Sequence, residues 1–172
     1  LDQRTQHTRI GALANGRRVL DGFCHLGGFA LHSALGGAQQ VVAVDSSTEA
    51  VKGLRANTER NGVSVEVEEA NMFDWLRAHE TERFDLIVLD PPSFARNKRS
   101  LDGAMRGYKE LNLRALKMLN PGGILASYSC SQAIDAGLFE SMLRDAAGDA
   151  RRQCRILEKT GQPADHPVLL GM

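Results

Sequence analysis

Apolar residues along the chain gather in short unbroken runs, and the stretches between them carry a helical period. Val41-Val42-Ala43-Val44 and Leu86-Ile87-Val88-Leu89 contain no polar residue, as expected of strands covered on both faces of a sheet. Shorter runs at residues 19–21 and 124–129 predict two more strands. Val63, Val65 and Val67 alternate with Ser64, Glu66 and Glu68, a period of two that predicts a half-exposed strand nearer the sheet's edge. Helices are expected over residues 5–15, 28–35, 73–79, 102–119 and 135–147. Another begins at a capping box, Ser46 with Glu49, and ends at Asn61-Gly62. Asn120-Pro121-Gly122-Gly123 reads as a turn, and residues 155–158 as a weaker sixth strand. Strands and helices alternate throughout, which predicts an α/β fold with a doubly wound, mostly parallel sheet. Residues 84–90, the most apolar strand, are expected at its centre.

At 172 residues the chain has the length of one domain, and 42% hydrophobic residues suffice for a core. Basic and acidic residues balance at 21 each, so a nucleic-acid surface would have to be a local patch. Cys24, Cys130 and Cys154 are odd in number and far apart, which argues against a disulfide framework and for a reducing cytoplasm. No apolar run could span a bilayer, and no signal peptide is apparent. Leu1-Asp2-Gln3-Arg4 has the character of an internal segment, so residues 1–172 are expected to be one domain of something larger.

In doubly wound sheets, ligands lie beyond the carboxyl ends of the strands. The residues there are Asp21, Asp45, Asn71, Asp90 and Ser129-Cys130-Ser131. Gly22, Gly27 and Gly28 do not form the G-x-G-x-x-G fingerprint, which disfavours a nicotinamide dehydrogenase. An acidic strand end, a loop and paired glycines suit an adenosine with no pyrophosphate, as in S-adenosylmethionine. Asp45, with Ser46 beside it, is placed to accept both ribose hydroxyls. Asn71 reads either as an adenine contact, with the Met72 N–H meeting a ring nitrogen, or as a helix cap. In Asp90-Pro91-Pro92-Ser93-Phe94 the prolines fix the backbone beside the carboxylate, which suits orientation of a flat, amide-like base. Cys130 reads either as an inert small hydrophobe or as a nucleophile near Asp90. Cys24 and Cys154 read as structural, and the five histidines show no metal-ligand spacing. Arg96, Lys98, Arg99, Arg106 and Lys109 form a basic stretch suited either to water or to phosphates.

Taken together, Leu1-Asp2-Gln3-Arg4, Val19 to Phe23 with Gly27-Gly28-Phe29, Val44-Asp45, Asp90 to Phe94, Gly107-Tyr108-Lys109-Glu110-Leu111-Asn112, Ser129-Cys130-Ser131 and Ala164-Asp165-His166-Pro167 resemble the class I S-adenosylmethionine-dependent RNA methyltransferases. The resemblance is closest to the bacterial 23S rRNA (cytosine-5) methyltransferases. It implies a Rossmann-like fold and methylation of carbon 5 of a cytosine in ribosomal RNA through a cysteine adduct. It also implies that Asp21, Phe23, Gly27 and Gly28 surround the cofactor, Arg4 approaches its carboxylate, Asp45 holds the ribose, and Asp90 serves both cofactor and base. Cys130 becomes the implied nucleophile, and Pro91, Pro92, Arg96, Lys98, Arg106 and Lys109 the implied substrate contacts. Relatives usually carry aspartate where Asn71 stands. They also carry an RNA-binding PUA domain and a last antiparallel strand that this chain is expected to lack. No metal or membrane is implied, and the oligomeric state, a dimer included, stays open. The competing readings are methylation of a base nitrogen and a cofactor-binding fragment without turnover.

Overall fold

The structure is a computed structural model describing residues 3–94, 101–131 and 133–162. In chain order the elements are α1 (Arg4–Leu13), β1 (Arg18–Gly22), α2 (Gly28–Leu35), β2 (Gln40–Asp45), α3 (Thr48–Asn61), β3 (Glu66–Glu69), α4 (Met72–Ala78), β4 (Phe84–Leu89), α5 (Leu101–Met118), β5 (Leu119–Ser127) and α6 (Ala136–Asp149). The five strands form one parallel sheet in the order β3-β2-β1-β4-β5. This is the doubly wound α/β architecture that the alternation of elements predicts.

Strand periodicity divides the core into two layers. Leu20, Val42, Val44 and Ile87 point into the layer built with Trp75, Leu76, Leu111 and Ala115 of α4 and α5. Val19, Val41, Ala43, Leu86 and Val88 point the other way, onto Ile10, Phe29 and Leu54 of α1, α2 and α3. Complete burial of a side chain such as Leu20 or Leu54 contributes about 1.5–3 kcal/mol, so the strands must be apolar on both faces.

Several local expectations are corrected. The middle strand is β1, while β4 lies between β1 and β5; its apolarity reflects cover on both faces and both edges. The cap of α3 is Ser47, whose side chain accepts from the Ala50 N–H, because the Asp45 carboxylate draws in the Ser47 N–H first. The strand of alternating valines shrinks to Glu66–Glu69, since only this part meets residues 42–45 of β2. Residues 120–123 lie within β5 as an irregularity where the register with β4 shifts, with Gly122 at φ +78°. Residues 155–158 pair with no strand and are exposed. Instead, Glu158 meets Arg9 on α1. Among the described residues no antiparallel strand borders β5; the Ala164-Asp165-His166-Pro167 motif lies outside them.

Gly27 shows where backbone freedom is required. Its φ is +86°, and a Cβ there would stand 2.1 Å from Leu54 Cδ1, a side chain buried completely. Gly62, at φ +61°, has open space around the same position. Gly27→Ala is therefore expected to cost about 2–4 kcal/mol through backbone strain plus overpacking, against about 1 kcal/mol for Gly62→Ala. Urea unfolding of both variants checks this; equal losses would mean that Leu54 moves aside freely.

Candidate active site

The carboxyl edge of the sheet gathers three carboxylates. Asp21 is the next-to-last residue of β1 and is completely buried. One of its oxygens accepts from the Ala30 N–H in α2 at 2.8 Å, and the other is buried without a hydrogen-bond partner. Burial pushes its carboxyl up to about 8; the Ala30 hydrogen bond opposes this, and the charges of Asp90 and Asp45 add to it. The Asp45 and Asp90 carboxylates beside it repel a pyrophosphate and attract a cation. A ligand with a sulfonium and an ammonium fits them, and the orphaned Asp21 oxygen faces no competing partner.

Asp45 organises the loop between β1 and α2. One oxygen accepts from the His25 N–H at 2.8 Å and the other from the Ser47 N–H at 2.9 Å. The Val44 carbonyl accepts from both the Phe23 and Cys24 amides. These bonds hold Phe23 at φ +65° and His25 at φ +48°, left-handed conformations costing about 1–2 kcal/mol each for residues with a Cβ. The paired glycines also serve packing within the protein. Leu54 fills the place of a Gly27 side chain, and the His7 ring lies 2.3 Å from the Cβ that Gly28 lacks.

Asn71 is the N-cap of α4, its side-chain oxygen accepting from the Phe73 and Asp74 amides. Any adenine contact through that oxygen shares it with the cap. Met72 stands at the first position of α4, where helical amides lack intrahelical partners. Its buried side chain faces Gly22, where a Cβ would come within 3.0 Å of the Met72 sulfur. Ser46 is exposed beside Asp45.

The segments carrying Asp90 and Cys130 meet because their strands are neighbours. β4 and β5 are neighbours, and the Cys130 sulfur donates to the Pro91 carbonyl at 3.7 Å. Cys130 and Pro92 are exposed while Pro91 is buried, so the thiol sits at the mouth of this edge. Cys24 is a core residue whose thiol is pushed up by burial and by the Asp21 and Asp45 charges. Cys154 is exposed, contrary to its structural reading, because the segment carrying it leaves the core after α6. None of the three is in a disulfide. Among the described residues, no group of three His, Cys, Asp or Glu is arranged to hold a metal, and no helix is long and apolar enough to cross a membrane.

The basic residues separate. Arg96 and Lys98 lie outside the described residues, and Arg106 is exposed near the start of α5. Lys109 is bound to Asp149 at the far end of α6, 2.8 Å away. A surface ion pair of this kind holds the lysine only weakly. Arg4 is exposed at the start of α1. A second basic cleft, lined by Arg83, Arg114, Lys117 and Arg152, opens near the amino ends of β4 and β5, away from the carboxylates.

Sequence reasoning passed over three residues. The Gln3 amide donates to Asp90 at 3.3 Å, bringing the start of α1 to the site; its place in the Leu1-Asp2-Gln3-Arg4 motif was the available signal. Tyr128 stacks on Phe29, and burial together with Asp90 pushes its hydroxyl up to about 12. Tyr108 is buried beneath the Cys130 loop; its amphipathic helix announced a core position but gave no hint of its hydroxyl's partners.

The raised carboxyl of Asp21 has a thermodynamic consequence. Below about pH 4 the acid is protonated in both states. Between there and about pH 8 the unfolded chain ionises while the folded one keeps its proton, so stability falls as pH rises, by at most about 1.4 kcal/mol per unit. Asn cannot titrate yet can still accept from Ala30. The stability of Asp21→Asn relative to the parent is expected to improve between pH 5 and pH 8 in urea unfolding; parallel curves would show that the buried acid is ionised throughout.

Comparison with known proteins agrees with this geometry. Residues 1–169 match the family described as S-adenosylmethionine-dependent methyltransferase. Proteins named ribosomal RNA large subunit methyltransferase I are 49% identical in Photobacterium profundum and 44% in Erwinia tasmaniensis, each over 98% of this chain and 44% of the relative. The chain thus spans under half the length of the curated relatives it matches. The solved structure of SMU.776, a methyltransferase complexed with SAH, superposes with a TM-score of 0.87 at 25% identity, covering 99% of this chain and 46% of that one. The carboxylate-rich edge, the glycine loop without a phosphate fingerprint and the family match agree: the chain belongs to the S-adenosylmethionine-dependent methyltransferases.

Proposed function

We propose that the protein methylates carbon 5 of a cytosine in 23S ribosomal RNA, with residues 1–172 as its catalytic unit and Cys130 as nucleophile. The observation that carries this reading is the thiol at the Pro91 carbonyl, one residue beyond Asp90. The names of the relatives supply the substrate class and fit a cytoplasmic protein.

Carbon 5 of cytosine is a poor nucleophile. Addition of the Cys130 thiolate to carbon 6 breaks the 5,6 double bond and moves its electrons onto carbon 5. S-adenosylmethionine supplies an electrophilic methyl group for that carbon. Removal of the carbon 5 proton then restores the double bond and expels the thiolate. Asp90, held by Gln3 and the two prolines, is assigned to hydrogen-bond the base's ring nitrogen or amino group and to stabilise its protonated form. Asp21, Asp45, Phe23, Gly27, Gly28, Ser46, Asn71, Met72 and Arg4 are assigned to the cofactor. Pro91, Pro92, Arg96, Lys98, Arg106 and Lys109 are assigned to RNA. The target base must leave its stack, at a cost of a few kcal/mol in a duplex, and an exposed Cys130 suits a base swung in from outside.

Cys130→Ala is expected to abolish transfer of radiolabel from the cofactor to 23S rRNA while leaving cofactor binding, by calorimetry, within about twofold of the parent. Asp90→Asn should lower turnover by about 10²-fold or more. Full methylation by Cys130→Ala would end the thiolate mechanism. Mass spectrometry of the digested product would then show whether a base nitrogen is the acceptor. Cofactor binding without transfer to any rRNA would mark a binding module instead.

A further inference from the structure

Four hydroxyl groups and one backbone amide surround the backbone on either side of Cys130. Tyr108 of α5 is buried, its ring lying 4.8 Å from Phe94 and edge-on to Phe139 at 5.7 Å. The Ser129 hydroxyl donates to the Tyr108 oxygen at 3.1 Å. A phenol has one proton, and the Ser131 oxygen lies 3.1 Å away to receive it. Ser131 Oγ is in turn 3.0 Å from Ser93 Oγ, while the Ser131 N–H returns to the Ser129 oxygen at 3.3 Å. One phenol thereby holds both neighbours of Cys130 and, through Ser131, reaches the loop that follows Asp90. The sulfur between them rests on the Pro91 carbonyl of that loop.

We propose that Tyr108 is a positioning residue for the Cys130 thiol: its hydroxyl pins the two serines flanking the cysteine and thereby fixes the sulfur against the Asp90-Pro91 backbone. Its importance for turnover rests on Cys130 being the nucleophile. The placement of the thiol does not, so the two can fail separately. A rigid core residue suits the task, because the ring is clamped by Phe94 and Phe139 and only the oxygen faces the loop. Without that oxygen, Ser129 and Ser131 lose their common anchor and the intervening sulfur samples other directions. Productive addition to a base then becomes rarer while a small reagent reaches the sulfur from more sides.

The test is Tyr108→Phe in the full-length protein, which keeps the ring, together with Ser129→Ala, which lies outside the helix. Alkylation by iodoacetamide is followed at Cys130 and at exposed Cys154 by peptide mass spectrometry. In Tyr108→Phe, Cys130 should be alkylated about threefold faster or more with Cys154 unchanged, while kcat for methyl transfer falls on the order of tenfold at unchanged cofactor affinity. Ser129→Ala should move both quantities in the same directions by smaller factors. Unchanged Cys130 alkylation in both variants overturns the proposal, as does a parallel rise at Cys130 and Cys154, which marks general loosening. Should Cys130→Ala retain full transfer, the nucleophile reading falls alone, and the contrast between the two cysteines still decides whether Tyr108 places the thiol.

Discussion

The hydrogen bond from Ala30 to Asp21 sets the frame for the site. It joins the end of the middle strand to the first turn of the helix that follows, leaving the intervening loop little choice of path. Because the acceptor is wholly buried, an ionised acid would face a large desolvation cost, and the proton held there lowers it. The loop then crosses the end of β2, where Asp45 and the Val44 carbonyl take its amides one after another. Backbone conformations that would be unstable in isolation are thus fixed from three directions, which provides a pre-organised wall for a ligand.

The other half of the site depends on a different kind of contact. Two loops, one after β4 and one after β5, meet through a sulfur on a carbonyl and a relay of hydroxyls. Hydrogen bonds are directional where dispersion is not, so this half can specify the orientation of its groups within a narrow range. Stability comes instead from Tyr108, Phe94 and Phe139 beneath.

Much of this was legible in the residues. Unbroken apolar runs implied strands covered on both faces, and the rule that ligands lie beyond the carboxyl ends of parallel strands placed Asp21, Asp45, Asp90 and Cys130 on one edge. What stayed hidden depends on competition for single groups. Ser46 and Ser47 both satisfy capping chemistry, and only the pull of Asp45 on one amide selects Ser47. Gly27 and Gly28 read as ligand glycines, and nothing local announces that Leu54 and His7 also occupy the spaces beside them. Asn71 offered two roles, and its oxygen is engaged in the cap. The role of the Tyr108 hydroxyl carries no local signal, because its partners lie more than twenty residues along the chain.

The irregularity in β5 also acts as a spacer. Between the pairs Phe84↔Leu119 and Leu86↔Ile124, β5 uses three more residues than β4. At about 3.3 Å per residue that is a displacement of about 10 Å along the strand. A regular ladder would leave Cys130 that much further beyond the end of β4, and because three is odd it would also turn each later side chain of β5 to the opposite layer. The glycine-rich segment at the bottom of the sheet therefore sets the height and the facing of the thiol at the top. Insertions and deletions near Pro121 would act on the chemistry through strand phase alone, at a distance and without altering any residue of the site.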